Sequence, residues 1–336
     1  MAHARRITTA LLAAAATGLS AAQAQETAKA PPNETVEMHL AAAKEAAGFD
    51  YTGTLARVCI HPQTGPSPDR APGGAPPRET WAFAPAKVFD NLYFVGTRIH
   101  SSWALVATGG DIILIDTLYD YASEESIAGG LKKLGLDPAR VKYTLISHWH
   151  GDHVGGALMM QQKYKSRIVM GDKDWAMVEA SQHQFPNGKP TRDIVAKDGD
   201  VITAGDVSVK LVSTPGHTPD TFGFIFQVKD NGKPLTVAYN GGTAFNFVND
   251  VPHFDIYIAS QKKMRQAAAD AGATVLISNH SEFDNATTKI RMQAGRKDGE
   301  PSPFEIGTKA VSRYFRVMSE CAQAARLKLL KGVKED

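Results

Sequence analysis

The hydrophobic pattern of this chain changes period along its length, and the changes mark its elements. Residues 92–96, 103–107 and 112–116 are short apolar runs that read as three successive strands, and Thr108-Gly109-Gly110-Asp111 supplies a turn between the last two. Residues 123–134 then follow a helical spacing, with Ser123 as the expected N-cap and Gly135 as the stop. The run 141–146 returns to a buried-strand composition. The alternation continues: a helical start at 157–163, a strand at 166–170, a short helix at 172–180, then strand candidates at 201–202, 207–212, 222–228 and 235–239. Residues 254–271 and 308–330 close the chain as helices. The last of these carries Val311, Tyr314, Phe315, Met318, Ala322 and Leu329 on one core-facing stripe. Strand runs with helices between and after them predict a layered α/β protein, its helices outside its sheets.

Before this core, residues 36–47 have helical composition, and the Pro- and Gly-rich stretch 62–77 excludes regular helix or central strand. The expected organisation is therefore an N-terminal arm over 25–80 and a compact domain over 81–336. Residues 1–24 read as an export leader: His3, Arg5 and Arg6 precede an apolar, Ala-rich stretch, and Ala22-Gln23-Ala24 fits a cleavage site before Gln25. That places the mature chain in the periplasm or outside the cell. Apart from the leader, no segment is long and apolar enough to cross a membrane. The 37 basic and 35 acidic residues give a net charge of +2, which argues against a nucleic-acid partner. The two cysteines, Cys59 and Cys321, would tie the arm to the last helix if their Cα atoms come within reach, which sequence does not establish.

The chemistry concentrates behind the strand at 141–146. Residues 147–156 read Ser-His-Trp-His-Gly-Asp-His-Val-Gly-Gly, bringing together His148, His150, Asp152 and His153 in a chain with only 11 histidines. Imidazoles with a carboxylate suit zinc and similar borderline metals. A packed core has no use for such a group, and a closed structural zinc site usually draws on Cys, which this segment lacks. A catalytic site with an open position is the better reading. Three further groups stand at strand ends in the same way: Asp116, His217 in Thr214-Pro215-Gly216-His217-Thr218-Pro219, and His280 after the run 275–278. His100, His183 and His253 are isolated and read as surface or packing residues. Trp149 either wedges the loop or lines a pocket. Phe245, Phe247 and the loop 182–190 either border a substrate or pack.

On these residues the chain resembles the metallo-β-lactamase superfamily over residues 89–285, through the His-x-His-x-Asp-His motif at 148–153 and the order of Asp116, His217 and His280. The resemblance implies a four-layer αβ/βα sandwich with two zinc ions at one edge. His148, His150 and His217 would hold the first ion, and Asp152, His153 and His280 the second, with Asp116 orienting the motif loop. Asp152 would also orient the attacking water. The stretch 231–239, the region around Asp255-Ile256-Tyr257 and Phe283-Asp284-Asn285 after His280 are most similar to the third subclass of class B β-lactamases. Many superfamily hydrolases carry a metal-bridging Asp near the position of Gly242; here the sequence is Tyr239-Asn240-Gly241-Gly242-Thr243. The third subclass also lacks that Asp, although it usually has a Ser nearby to hold a substrate carboxylate. Here that task would fall to Asn246, Asn249 or Ser281.

The resemblance thus implies an exported dizinc hydrolase that opens a cyclic amide with a metal-activated water, acting on a small molecule with a hydrolysable carbonyl: a β-lactamase. A lactone or ester hydrolase of the same fold, and a non-catalytic metal-binding protein, are the alternatives.

Overall fold

Two sheets carry all the regular strands in the computed structural model, which describes residues 33–60, 75–181, 185–245 and 250–332. The expected leader at 1–24, most of the Pro-rich stretch, His183, Asn246, Phe247 and Asn249 lie outside the described residues. The first sheet orders β1 (Ala86–Phe89), β2 (Leu92–Phe94), β3 (Trp103–Val106), β4 (Ile112–Ile115), β5 (Val141–Leu145), β6 (Arg167–Gly171) and β7 (Ile194–Ala196) side by side. The second runs β12 (Val275–Ser278), β11 (Lys233–Asn240), β10 (Phe222–Asp230), β9 (Val207–Ser213) and β8 (Val201–Ala204).

Side-chain alternation along the strands explains the layers. In β4, Ile113 and Ile115 point between the sheets, toward Phe224, Val237 and Ile277 of the second sheet. Ile112 and Leu114 point the other way, onto Ile127, Leu131 and Met160. Both faces of the strand are buried, so its sequence is continuously apolar rather than alternating. The outer face of the second sheet offers Val212, Ile225, Ala238 and Leu276 to the helices Val251–Asp270 and Thr308–Leu330, through Tyr257, Met264, Val311 and Phe315. Each such side chain contributes about 1.5–3 kcal/mol when fully buried. Helices thus cover both outer faces, and the expected αβ/βα sandwich is what forms.

Several details differ from the sequence expectation. The helix placed at 123–134 starts earlier, at Asp120, and includes a π-helical turn over Glu124–Ala128. Ser123 is inside it and does not cap it; its hydroxyl donates to the carbonyls of Thr117 (2.7 Å) and Tyr119 (2.7 Å). The strands β1 and β7 are too short to stand out, the helix Ala286–Ala294 is largely polar, and none of the three was expected. In the arm, Val36–Ala47 is the predicted helix, and Ala43, Ala46, Tyr51 and Val58 enter the same core as the last helix. Tyr51 Oη donates to Ala310 O (2.9 Å), and Cys59 forms a disulfide with Cys321 in that helix. No helix among the described residues is long and apolar enough to cross a membrane.

That bond links positions 262 residues apart, so it removes much of the freedom of the unfolded chain. Cys321→Ser is expected to lower the free energy of unfolding by about 2–4 kcal/mol. Denaturant titration should show this, with the wild type approaching the variant once reductant is added.

Candidate metal centre

Strand direction gathers the predicted residues at one edge of the sandwich. β4 and β5 are parallel, so Asp116 and Ser147 leave the first sheet at the same end. In the second sheet β9 and β11 are both antiparallel to β10, and β12 is parallel to β11, so the segments carrying His217, Gly242 and His280 also leave at one end. The hydrogen bond from Phe222 N to Ser147 O (2.9 Å) joins the two edges.

The motif loop is pressed closely from below. A Cβ at Gly156 would lie 2.4 Å from Ser123 Oγ, and one at Gly155 would lie 2.6 Å from Asp120 N, so only the Gly pair lets the short helix Gly151–Val154 sit down. Asp116 lies directly above, with a left-handed backbone (φ 58°), as does Leu118 (φ 61°). Such conformations in non-Gly residues persist where surrounding contacts enforce them. The contacts are on its carboxylate. Oδ1 accepts from Ser147 N (2.7 Å), and Oδ2 accepts from Ser147 Oγ (2.8 Å), Tyr239 Oη (2.6 Å) and His153 Nδ1 (3.1 Å). The last bond sets the proton on Nδ1 of His153 and turns its Nε2 toward the site.

Two sets of donor atoms result. His148, His150 and His217 converge, with His148 Nε2 3.0 Å from His150 Nδ1 and 3.1 Å from His217 Nε2. Ligands on one tetrahedral zinc at ordinary zinc–nitrogen distances are about 3.3 Å apart, so this set fits a single ion. His148 Nδ1 lies 3.1 Å from Ser147 Oγ, and His217 Nδ1 donates to Ala244 O; each ring is aimed by its second nitrogen. The second set has His153 Nε2 3.1 Å from Asp152 Oδ2 and 3.2 Å from His280 Nε2. The sets adjoin, the rings of His148 and His153 being 4.3 Å apart between centroids.

The electrostatics of three rings suit ligation. Burial, with neighbouring imidazoles, holds His148 well below its ordinary value and His217 down at about 3, and burial holds His280 low, so these rings stay neutral with lone pairs available. His153 goes the other way. Burial opposes its charge, but Asp152 and Asp116 outweigh burial and push it up to about 10. Burial likewise raises Asp152, and it is overcome by His153, His100 and His280, which hold the carboxyl well below its usual range.

Asp174, on the helix Asp172–Ala180, was not singled out in the sequence, yet it clamps both histidine loops. Its Oδ2 accepts from Trp149 N (3.0 Å) and Thr218 Oγ1 (2.7 Å), and its Oδ1 from Asp220 N (3.0 Å). Burial pushes it up to about 6 against those bonds. Nothing in its neighbours marks it in the sequence, because its partners are 25–46 residues away. Two earlier expectations change, for His100 and Ser281, and for Phe245 packing is the alternative found. His100 is not isolated: its Nε2 lies 3.6 Å from Asp152 Oδ2, and it groups with Asp152 and His280. Phe245 does not border a pocket but is buried against Phe254 and Tyr257. Ser281 is buried and donates to Arg98 O (2.5 Å), so it does not face a substrate. Trp149 packs, half-buried, against the helical layer beside the first sheet.

Asp116→Asn leaves one acceptor oxygen for several donors. It is expected to weaken metal affinity roughly 10–100-fold, measured by chelator competition. Asp174→Ala strands three donors, and unfolding in urea should show a loss of about 2–4 kcal/mol.

Residues 96–230 match the sequence model of the metallo-β-lactamase superfamily. A hydroxyacylglutathione hydrolase of Rhodopseudomonas palustris (strain BisB5) is 33% identical over 187 residues, covering 51% of this chain and 67% of that protein. One from Xanthomonas euvesicatoria is 29% identical over 37% of this chain and 41% of its own length. The chain spans between 28% and 67% of the length of the first such relatives. Among solved structures, BJP-1, a subclass B3 metallo-β-lactamase of Bradyrhizobium japonicum, superposes with a TM-score of 0.57 at 26% identity, over 69% of this chain and 90% of its own. FEZ-1 of Legionella gormanii gives 0.64 at 23% identity, over 74% and 97%, a likeness of fold. With the motif, the paired sheets and these relatives in agreement, the chain belongs to the metallo-β-lactamase superfamily and is a metal-dependent hydrolase.

Proposed function

We propose that the chain is an exported dizinc hydrolase that opens the cyclic amide of a β-lactam. The observation that carries this reading is the close packing at Gly241-Gly242. A Cβ at Gly241 would lie 1.9 Å from Phe222 O and 2.8 Å from Ser147 Cβ, and one at Gly242 would lie 2.7 Å from His217 Cβ. No carboxylate fits between the two sets from this strand end. That absence is shared with the third-subclass lactamases and sets the chain apart from the glyoxalase-type members that its curated relatives represent. The Cys59–Cys321 disulfide supports an oxidising compartment, in keeping with the leader at 1–24.

The donor set fits zinc, as the converging imidazole nitrogens require. His148, His150 and His217 would hold one ion, and Asp152, His153 and His280 the other. When bound, the two ions would supply an activated water and a polarised carbonyl. The protein's own part is orientation. Asp116 fixes His153 and Ala244 O fixes His217, and Asp152 would orient the attacking water. No side-chain nucleophile is needed, and both cysteines are engaged in the disulfide.

A second reading is a lactone or ester hydrolase of the same fold, and the curated relatives named hydroxyacylglutathione hydrolase add a thioester to that class. The two separate in one assay. Zinc-loaded protein is offered nitrocefin, a carbapenem, a hydroxyacylglutathione thioester and an acyl-homoserine lactone. A β-lactam kcat/KM roughly tenfold or more above the others, about 1.4 kcal/mol of transition-state preference, is expected. Preference for the thioester or lactone would replace this reading with the second. His217→Ala should lose both first-set metal and turnover; full activity in that variant would remove the metal centre from the mechanism.

A further inference from the structure

His100 stands just before β3, outside the motif and far in sequence from every other group of the centre. Its backbone is built into the end of β12. Ser101 N donates to Asn279 O (2.8 Å), and Ser281 N donates to Ile99 O (2.8 Å), so His100 pairs with His280 across an isolated antiparallel bridge. Thr97 closes the loop behind it: Thr97 N donates to His100 O (2.8 Å), and His100 N donates to Thr97 Oγ1 (3.0 Å). The ring is held edge-on between His280 (5.2 Å between centroids) and Tyr119 (5.1 Å). Its side chain is only 17% exposed.

This clamp directs Nε2 at Asp152. The 3.6 Å to Asp152 Oδ2 is too long for a hydrogen bond. It matches the separation of two ligands on one zinc ion, roughly 3.0–3.6 Å at ordinary zinc–ligand lengths. One donor atom each from His100, Asp152 and His280 lies within 4.8 Å of the others. A packing histidine has no need of such an aim, and an exposed one would not be locked by backbone pairing on both sides.

We propose that His100 is a fourth protein ligand of the second metal site, beside Asp152, His153 and His280. The inference rests on the dizinc reading above. It makes the two sites unequal: three imidazoles at the first, three imidazoles and a carboxylate at the second. Substrate would then meet the metal mainly at the first set, and the second ion would resist chelators longer.

The test is nuclear magnetic resonance of cadmium-loaded protein with nitrogen-labelled histidines, together with chelator titration. Ring nitrogens of His148, His150, His153, His217 and His280 should show coupling to cadmium, and so should a sixth signal, which disappears in His100→Phe. That variant keeps a ring of similar size, and it should lose at least tenfold in affinity for the second ion while the first binds as in the wild type. Wild-type protein binding two ions with only five coupled rings overturns the inference and leaves the dizinc reading standing. So does unchanged second-ion affinity in His100→Phe. Wild-type protein that binds fewer than two ions overturns both. The wild-type spectrum decides the matter even if the variant folds poorly.

Discussion

One buried carboxylate joins the two halves of this protein. Asp116 ends β4 of the first sheet, yet it receives a hydroxyl from Tyr239 in β11 of the second, and both groups of Ser147 from the end of β5. A carboxylate with no exposure to water is costly unless nearly every lone pair is used. Here they are used by groups that define the relative position of both sheets and of the motif loop. The aim of His153 follows from satisfying that one group, and the left-handed backbone at 116 accompanies it. Removing a single donor would leave the charge underpaired, so the centre and the sheet contact are formed together.

Much of the site was legible because ligand chemistry needs scarce residue types in fixed order. The cluster at 148–153, with Asp116, His217 and His280 each at the end of an apolar run, could be read in one dimension. His100 and Asp174 could not. Each belongs to the site through pairings made only in three dimensions, His100 across the edge of β12 and Asp174 across two loops. The fold shows the same division. Continuously apolar strands such as β4 were evident, whereas β1 and β7 are short and only partly buried. Ser123 was misread because a serine whose hydroxyl bonds the carbonyl one turn back has the same sequence appearance as a cap.

The relatives pull in two directions. Sequence similarity is carried by the motif and the strands around it, which thioesterases and lactamases share, whereas the structural likeness extends over most of the chain. What separates activities within such a fold is the loops around the metals. At Gly242 this protein places bare backbone against His217, so that strand end offers no side chain to the centre.

The bond between Cys59 and Cys321 reaches beyond stability. It closes a ring containing both sheets and every group of the centre. A protease that cuts any surface loop inside that ring would open the backbone without releasing a piece. The nicked molecule keeps its two segments covalently joined and migrates as one chain until a reductant is added. A protein so built can tolerate a first cut and still hold the residues of the centre in one body.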